Sequence, residues 1–250
     1  MSDNTPLDVR MKKYEHAYRQ YLPRRTYTLL RIDGRSFHQY LKDAERPFDF
    51  PFMAAMDLVA IKLCEEIMGA RFAYVQSDEI SLLLTDFDTH QTEPWFGGNL
   101  NKLLSIPPSL ASGYLSRLRH EQAAIPQFDC RVWTKSDPVE VANYFVYRQR
   151  DAVRNSIQMV GQHYFTQAQL FGQSTDQIQE TLFAQHGVNW SQFPVSAKRG
   201  RLVFKHDEEG WNAMGAPTFK AEAGSELAQL IPPMPSLWDK EVQDVTGQDG

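Results

Sequence analysis

Ala73-Tyr-Val-Gln-Ser-Asp-Glu-Ile-Ser-Leu-Leu-Leu84, read together with Leu30-Arg-Ile-Asp-Gly-Arg-Ser-Phe37, decides the fold. Phe72 to Gln76 and Ile80 to Leu84 are apolar runs that include aromatic and β-branched residues, which is the composition of strands. Ser77-Asp78-Glu79 interrupts them with turn formers, so the pair reads as a hairpin with two carboxylates at its bend. A further strand, Tyr27 to Ile32, ends at Asp33-Gly34. As neighbours in one sheet, these strands would gather Asp33, Asp78 and Glu79 at one end. Such a hard, oxygen-rich group suits Mg²⁺, which takes one or two carboxylates and keeps waters or substrate phosphates. Acidic residues at strand ends are as often solvated turn residues, and spacing alone does not choose between the two.

Working outward, Pro51 suits the first turn of a helix. Phe52, Met56, Val59, Ala60, Leu63 and Ile67 then keep a helical period up to Gly69. A second helix is expected from about Ser109 to Gln122, carrying Leu110, Tyr114, Leu115 and Leu118. Phe128-Asp-Cys-Arg-Val-Trp133 alternates as a half-buried fourth strand. The resulting order, β-α-β-β-α-β, is the ferredoxin-like split unit and also the topology of a polymerase palm, an α+β fold. Asp137-Pro-Val-Glu140 opens a long helix to about Tyr164, with Asp as cap and Pro in the first turn. Arg148, Asp151 and Asn155 share one polar face of it, and Arg150 and Arg154 form a basic edge.

Short helices follow between Thr166 and Trp190, one of them starting at Ser174-Thr-Asp-Gln177. Lys198-Arg-Gly-Arg-Leu-Val-Phe-Lys205 reads as a basic loop leading into a strand. Its charges suit phosphate or RNA backbone, and equally a solvated hairpin tip. At the other end, Arg10 to Arg19 reads as an amphipathic helix with Met11, Tyr14, Ala17 and Tyr18 on one face. The expected organisation is a palm-like core over 1–136, a helical extension with a small strand element over 137–235, and a mobile acidic tail over 236–250.

Gly34, Arg35, Ser36, Phe37 and His38 leave a strand and enter a helix, so their backbone N–H groups are placed to cradle a triphosphate. The glycine spacing of a Walker loop is absent. Ser77, at the facing bend, joins this candidate phosphate-binding set. Arg46-Pro-Phe-Asp49 is expected over the mouth of the site.

The chain has 250 residues, 42% hydrophobic and 12% aromatic, enough for a real core. No apolar run approaches the roughly 20 residues a membrane helix needs, so no membrane partner is expected. The first residues lack a basic stretch followed by an apolar one, so no secretory signal is read there. Cys64 and Cys130, with no CxxC, read as core thiols of a cytoplasmic protein rather than a disulfide or zinc framework. The net charge of −5 argues mildly against nucleic acid. Residues 221–250, however, hold six acidic residues against one lysine, so the rest of the chain is near neutral and its basic clusters can face RNA.

Four motifs together resemble the tRNA-His guanylyltransferase family. They are Arg31-Ile-Asp-Gly-Arg-Ser-Phe37, Tyr74-Val-Gln-Ser-Asp-Glu-Ile-Ser81, Phe128-Asp-Cys-Arg-Val132 and Tyr147-Arg-Gln-Arg-Asp151. Their order and spacing run over roughly residues 10–205, which is far more specific than any one motif. The resemblance implies a reverse polymerase that adds nucleotides to the 5′ end of tRNA. It implies two Mg²⁺ ions held by Asp33, Asp78 and the Gly34 carbonyl, with Glu79 completing the catalytic acids. It implies ATP as the activating nucleotide and GTP or another nucleoside triphosphate as the one added. Lys102 and Asn155 match nucleotide-contacting positions. Arg131, Arg148, Arg150, Arg154, Lys198 and Arg199 are candidate tRNA contacts. The family forms a homotetramer, a dimer of dimers.

One departure bears on the substrate. Eukaryotic members carry His-Ile-Asn-Asn where this chain has Val153-Arg-Asn-Ser156. The missing histidine favours the bacterial-type branch and template-directed repair of 5′-truncated tRNA. Addition of the extra 5′ guanosine to tRNA-His alone is the second reading. A palm-fold nucleotide-binding or cyclase-like protein without an RNA substrate is the third; it leaves the basic stretches unexplained.

Overall fold

The computed structural model describes residues 5–89 and 91–234; the acidic tail expected over 236–250 lies outside the described residues. In chain order the elements are α1 (Leu7–His16), β1 (Tyr27–Gly34), α2 (Phe37–Tyr40), α3 (Phe50–Glu66), β2 (Ala70–Gln76) and β3 (Glu79–Leu84). They continue with α4 (Leu100–Leu118), β4 (Phe128–Lys135), α5 (Pro138–Tyr164), α6 (Gln167–Leu170) and α7 (Thr175–His186). The series closes with α8 (Val195–Arg199), β5 (Arg201–His206), β6 (Gly210–Gly215) and α9 (Glu226–Leu230).

The strands form one sheet in the order β4-β1-β3-β2-β5-β6, each antiparallel to its neighbours. The first four reproduce the split β-α-β-β-α-β unit read from the sequence. Both faces of the central strands are covered, which is why β3 is buried at every position and reads as a nearly unbroken apolar run. Successive residues face opposite sides. Leu30, Ile32, Val75, Ile80 and Leu82 pack with Met56, Val59, Ala60 and Leu63 of α3. Leu29, Phe72, Tyr74 and Leu83 pack with Val141 and Phe145 of α5. A third cluster joins the second half of α5 to α7 through Ile157, Val160, Ile178 and Leu182.

Three expectations are corrected. The second helix starts at Leu100 rather than near Ser109, because Pro107 and Pro108 lie buried inside it. Ser105 and Ser109 donate to the carbonyls of Asn101 and Ser105 there, each at 2.8 Å. The first helix buries none of its residues, so its apolar positions have no partner within the described chain, and Ala17 and Tyr18 fall beyond its end. Glu79 belongs to β3 rather than to the bend, since it pairs with Gln76 across a two-residue turn. The strand element expected within residues 137–235 is β5 and β6, and β5 pairs with β2 to extend the palm sheet.

Candidate active site

The site is built at the end of the two central strands. In the β1–β3 register Asp33 lies opposite Glu79, and Ser77-Asp78 makes the turn beside them. Ser77 takes a left-handed backbone, φ 46°, which tightens that turn. The Asp78 carboxylate folds over Gly34. A Cβ on Gly34 would lie 2.3 Å from Asp78 Oδ2 and 2.4 Å from the Phe37 ring, so only glycine permits this approach. Burial pushes the Asp78 carboxyl up to about 6, against the lowering effect of its own backbone N–H and the Ser77 side chain; the charges of Asp33 and Glu79 push it further up. Asp33 accepts a hydrogen bond from Arg31 Nη2 at 2.9 Å.

A partly desolvated carboxylate held next to another is a place where a cation is favoured. The donors are hard oxygens, so Asp33 and Asp78 fit a divalent ion such as Mg²⁺. Among the described residues no group of three His, Cys, Asp or Glu side chains converges as a metal site. The reason is Glu79. It is buried and its oxygens are taken: Arg148 Nε donates to Oε1 at 2.8 Å and Arg148 Nη2 to Oε2 at 2.6 Å. Gln76 Nε2 adds a bond to Oε1 at 3.1 Å. The assignment of Glu79 to the acid cluster is therefore corrected: its side chain turns into the sheet's α5 face and fixes the strand under Asp78.

The same pair corrects Arg148 as a tRNA contact. Arg148 is 5% exposed. Burial alone would ease its proton off, but the hydrogen bonds and charge of Glu79, with Asp151, outweigh that and hold the guanidinium charged. Asp151 also accepts from Arg154 Nη2, so the polar face read on α5 is an ion network that runs from the buried Arg148 to the exposed Arg154.

A cleft of about 740 Å³ opens over Asp78. Gly34, Ser36, Phe37, His38, Ser77 and Asp78 line it, as the sequence indicated, together with Arg46 and Pro47 from the expected mouth segment. Phe37 contributes little beyond its backbone and one ring edge, because the ring packs against Tyr40, Phe52 and Phe128 at 5.0, 6.0 and 5.0 Å. Arg35 is not a cradle residue: its N–H donates to the Gln127 carbonyl at 2.8 Å. A narrower, more apolar slot beside the cleft is lined by Pro47, Phe48, Met53 and Asn155, which places Asn155 outside the cleft that holds the phosphate positions. Sequence reasoning missed Met159, Gln162 and His163, which close the cleft from α5. Their signal was the helical period, since Gln162 stands one i+7 step beyond Asn155.

Lys102 is not brought to the cleft. It sits in the first turn of α4, with Nζ 4.7 Å above the Phe96 ring. Its neighbours are Glu15, Arg19 and Tyr21. The helix runs along the sheet, so its start lies near Leu22, ahead of β1, while its end leads into Phe128 beside Gly34. Arg131, Arg150 and Arg154 are exposed. Lys198 packs over the Trp190 ring at 5.4 Å and bonds the Ser191 carbonyl. Arg199 is half-buried, and its carbonyl accepts from Tyr74 at 2.8 Å. Val153 packs against the third core cluster. Cys64 and Cys130 are free thiols. No helix among the described residues is long and apolar enough to cross a membrane.

A palm-type split sheet with a carboxylate pair at the end of its central strands, over a nucleotide-sized cleft, defines a nucleotidyltransferase. The family model described as tRNAHis guanylyltransferase matches residues 8–136, and the chain belongs to that family. A probable tRNA(His) guanylyltransferase of Dictyostelium discoideum is 25% identical over 195 residues, 71% of this chain and 74% of that one. A bacterial tRNA(His) guanylyltransferase-like protein solved in complex with ATP is 36% identical, with a TM-score of 0.85 over 90% of this chain and 99% of that one. The bacterial-like protein solved with GTP is 35% identical, with a TM-score of 0.72 over 85% and 92%. The Saccharomyces cerevisiae enzyme, 22% identical, shares the fold with a TM-score of 0.68 over 82% and 96% of the two chains.

Proposed function

We propose that this protein adds nucleotides to the 5′ end of tRNA in the 3′-to-5′ direction and repairs 5′-truncated tRNAs by following the template base. The observation that carries this reading is Asp78 folded over Gly34 in the lining of the cleft, with Asp33 at the same end of the neighbouring strand. Such a pair is the means by which a palm sheet transfers a nucleotide. When bound, two Mg²⁺ ions held by Asp33, Asp78 and the Gly34 carbonyl would activate the attacking oxygen and stabilise the leaving one.

The remaining work falls to this chain's own groups. ATP and GTP, the nucleotides bound by the bacterial-like proteins, are taken as the substrates here. His38, Ser36 and Ser77 face the phosphates across the cleft, and Arg46 supplies a positive charge at its rim. In the first transfer a 5′-phosphate oxygen of the RNA attacks the α-phosphorus of ATP, and pyrophosphate leaves. In the second, the 3′-hydroxyl of the incoming nucleoside triphosphate attacks the RNA 5′ phosphorus, and AMP leaves. The exposed Arg131, Arg150 and Arg154 suit the tRNA backbone, which they would position without specifying sequence. The exposed apolar residues of α1, among them Leu7, Val9 and Tyr14, suit burial in a homotetramer. A cytoplasmic location follows from the substrate.

Val153 supports the broader substrate range, because its apolar side chain packs against the third core cluster and offers RNA no polar group. The narrower reading, guanosine addition to tRNA-His alone, is favoured by the family description and by relatives that carry that name. Two 5′-monophosphorylated substrates separate them: tRNA-His lacking its extra guanosine, and another tRNA lacking its first paired nucleotide. Templated repair of both supports the proposal; addition to tRNA-His alone overturns its broader part.

A further inference from the structure

Beyond the cleft, α5, α6 and α7 enclose a second opening of about 590 Å³. Gln162 lines both it and the nucleotide cleft, so the two are adjacent. Its wall carries no charged side chain: the polar groups are the amides of Gln158, Gln162, Gln167 and Gln173. At its rim stands Phe171, 89% exposed, more than any other large hydrophobic side chain among the described residues. We infer that this groove holds an unstacked nucleobase of the RNA substrate, with Phe171 as its stacking face and the glutamines at its edge.

The chemistry selects that occupant. A phosphate calls for cations, and the groove has none. A base offers a π-face and a mixed row of donors and acceptors, which an aromatic ring and primary amides match. The loop is also held ready. Capping boxes close both flanking helices, Thr166 with Gln169 and Ser174 with Gln177. The Gln173 N–H donates to the Leu170 carbonyl at 3.1 Å, and its Nε2 to the Gln169 carbonyl at 2.7 Å. That second bond fixes the amide and leaves Oε1 buried with no donor facing it. A ring kept in water on a short loop between two capped helices is placed to stack on a ligand. Adjacency at Gln162 sets that ligand beside the strand whose end enters the cleft.

This assignment rests on the tRNA reading above, and its test is separable from it. Binding of a 5′-truncated tRNA to the full-length protein is measured without nucleotide, with Phe171→Ala, Phe171→Trp and Gln173→Leu beside the wild type. Phe171→Ala should weaken tRNA binding roughly ten-fold and raise KM for tRNA. It should leave KM for GTP and the melting temperature unchanged, and Phe171→Trp should restore binding. The same tRNA carrying 5-bromouridine should cross-link to the peptide spanning residues 167–178. Unchanged tRNA affinity in Phe171→Ala would overturn the inference. So would a changed oligomeric mass in that variant, which would assign the ring to a contact between copies of the chain. If the wild type binds tRNA through Phe171 yet adds no nucleotide, the proposed activity fails and this site stands.

Discussion

Arg148 holds Glu79 by two hydrogen bonds, 2.8 and 2.6 Å, across 69 positions of sequence, in the interior beneath the carboxylate pair. The contact ties α5 to the first residue of β3, so the helix that closes the cleft also sets the turn carrying Asp78. Removing one partner of a buried ion pair strands the other charge, at a cost of about 3–5 kcal/mol. Arg148→Met should therefore lose about that much stability in urea unfolding. The Glu79→Met, Arg148→Met double variant should recover most of it. A single variant within about 1 kcal/mol of wild type would show that the pair does not hold the strand.

The Asp78 carboxyl, near 6, stands above its ordinary value of 3.8. The folded protein therefore holds a proton that the unfolded chain gives up. The stabilisation this brings is complete below about pH 4 and is lost as the pH rises through about 6. In EDTA, Asp78→Asn should melt with the wild type near pH 4 and above it at pH 7. Added Mg²⁺ should close the gap at pH 7 by stabilising the wild type alone. Parallel melting curves across this range would contradict the burial and charge crowding described for Asp78.

Gly34→Ala places a methyl group 2.3 Å from Asp78 Oδ2 and against the Phe37 ring. The carboxylate must move, because the ring is locked in its aromatic cluster. Nucleotide addition should fall by about 100-fold or more, since small misplacement of a reacting group costs that much. Circular dichroism and melting check that the variant is folded. Near-normal rates would mean that the approach of Asp78 to Gly34 is not part of the site.

The split unit was legible because its signals are local: strand alternation, turn formers at Ser77-Asp78, and the Asp137 cap, which accepts from Val139 N–H at 2.8 Å. The Asp33–Asp78 pairing followed from strand order. What sequence did not reveal was the side to which each acid turns. One residue of register separates Asp78, in the turn, from Glu79, in the strand, and it sends their carboxylates to different surroundings. Arg148 and Arg154 are both basic residues of one polar, charged stretch of α5; only the packing of α5 on the sheet buries the first and exposes the second. The start of α4 was not legible either, because a proline inside a helix removes an N–H and crowds the preceding turn. Here Pro107 and Pro108 are both packed within α4.

The central claim is that Asp33 and Asp78 carry nucleotide transfer to the 5′ end of RNA. The most direct measurement is the single-turnover rate of labelled GTP addition to a 5′-triphosphorylated, truncated tRNA with Mg²⁺, comparing wild type with Asp33→Asn and Asp78→Asn. The account predicts folded variants that bind the tRNA and add no nucleotide. Addition by either variant at near wild-type rate would contradict it.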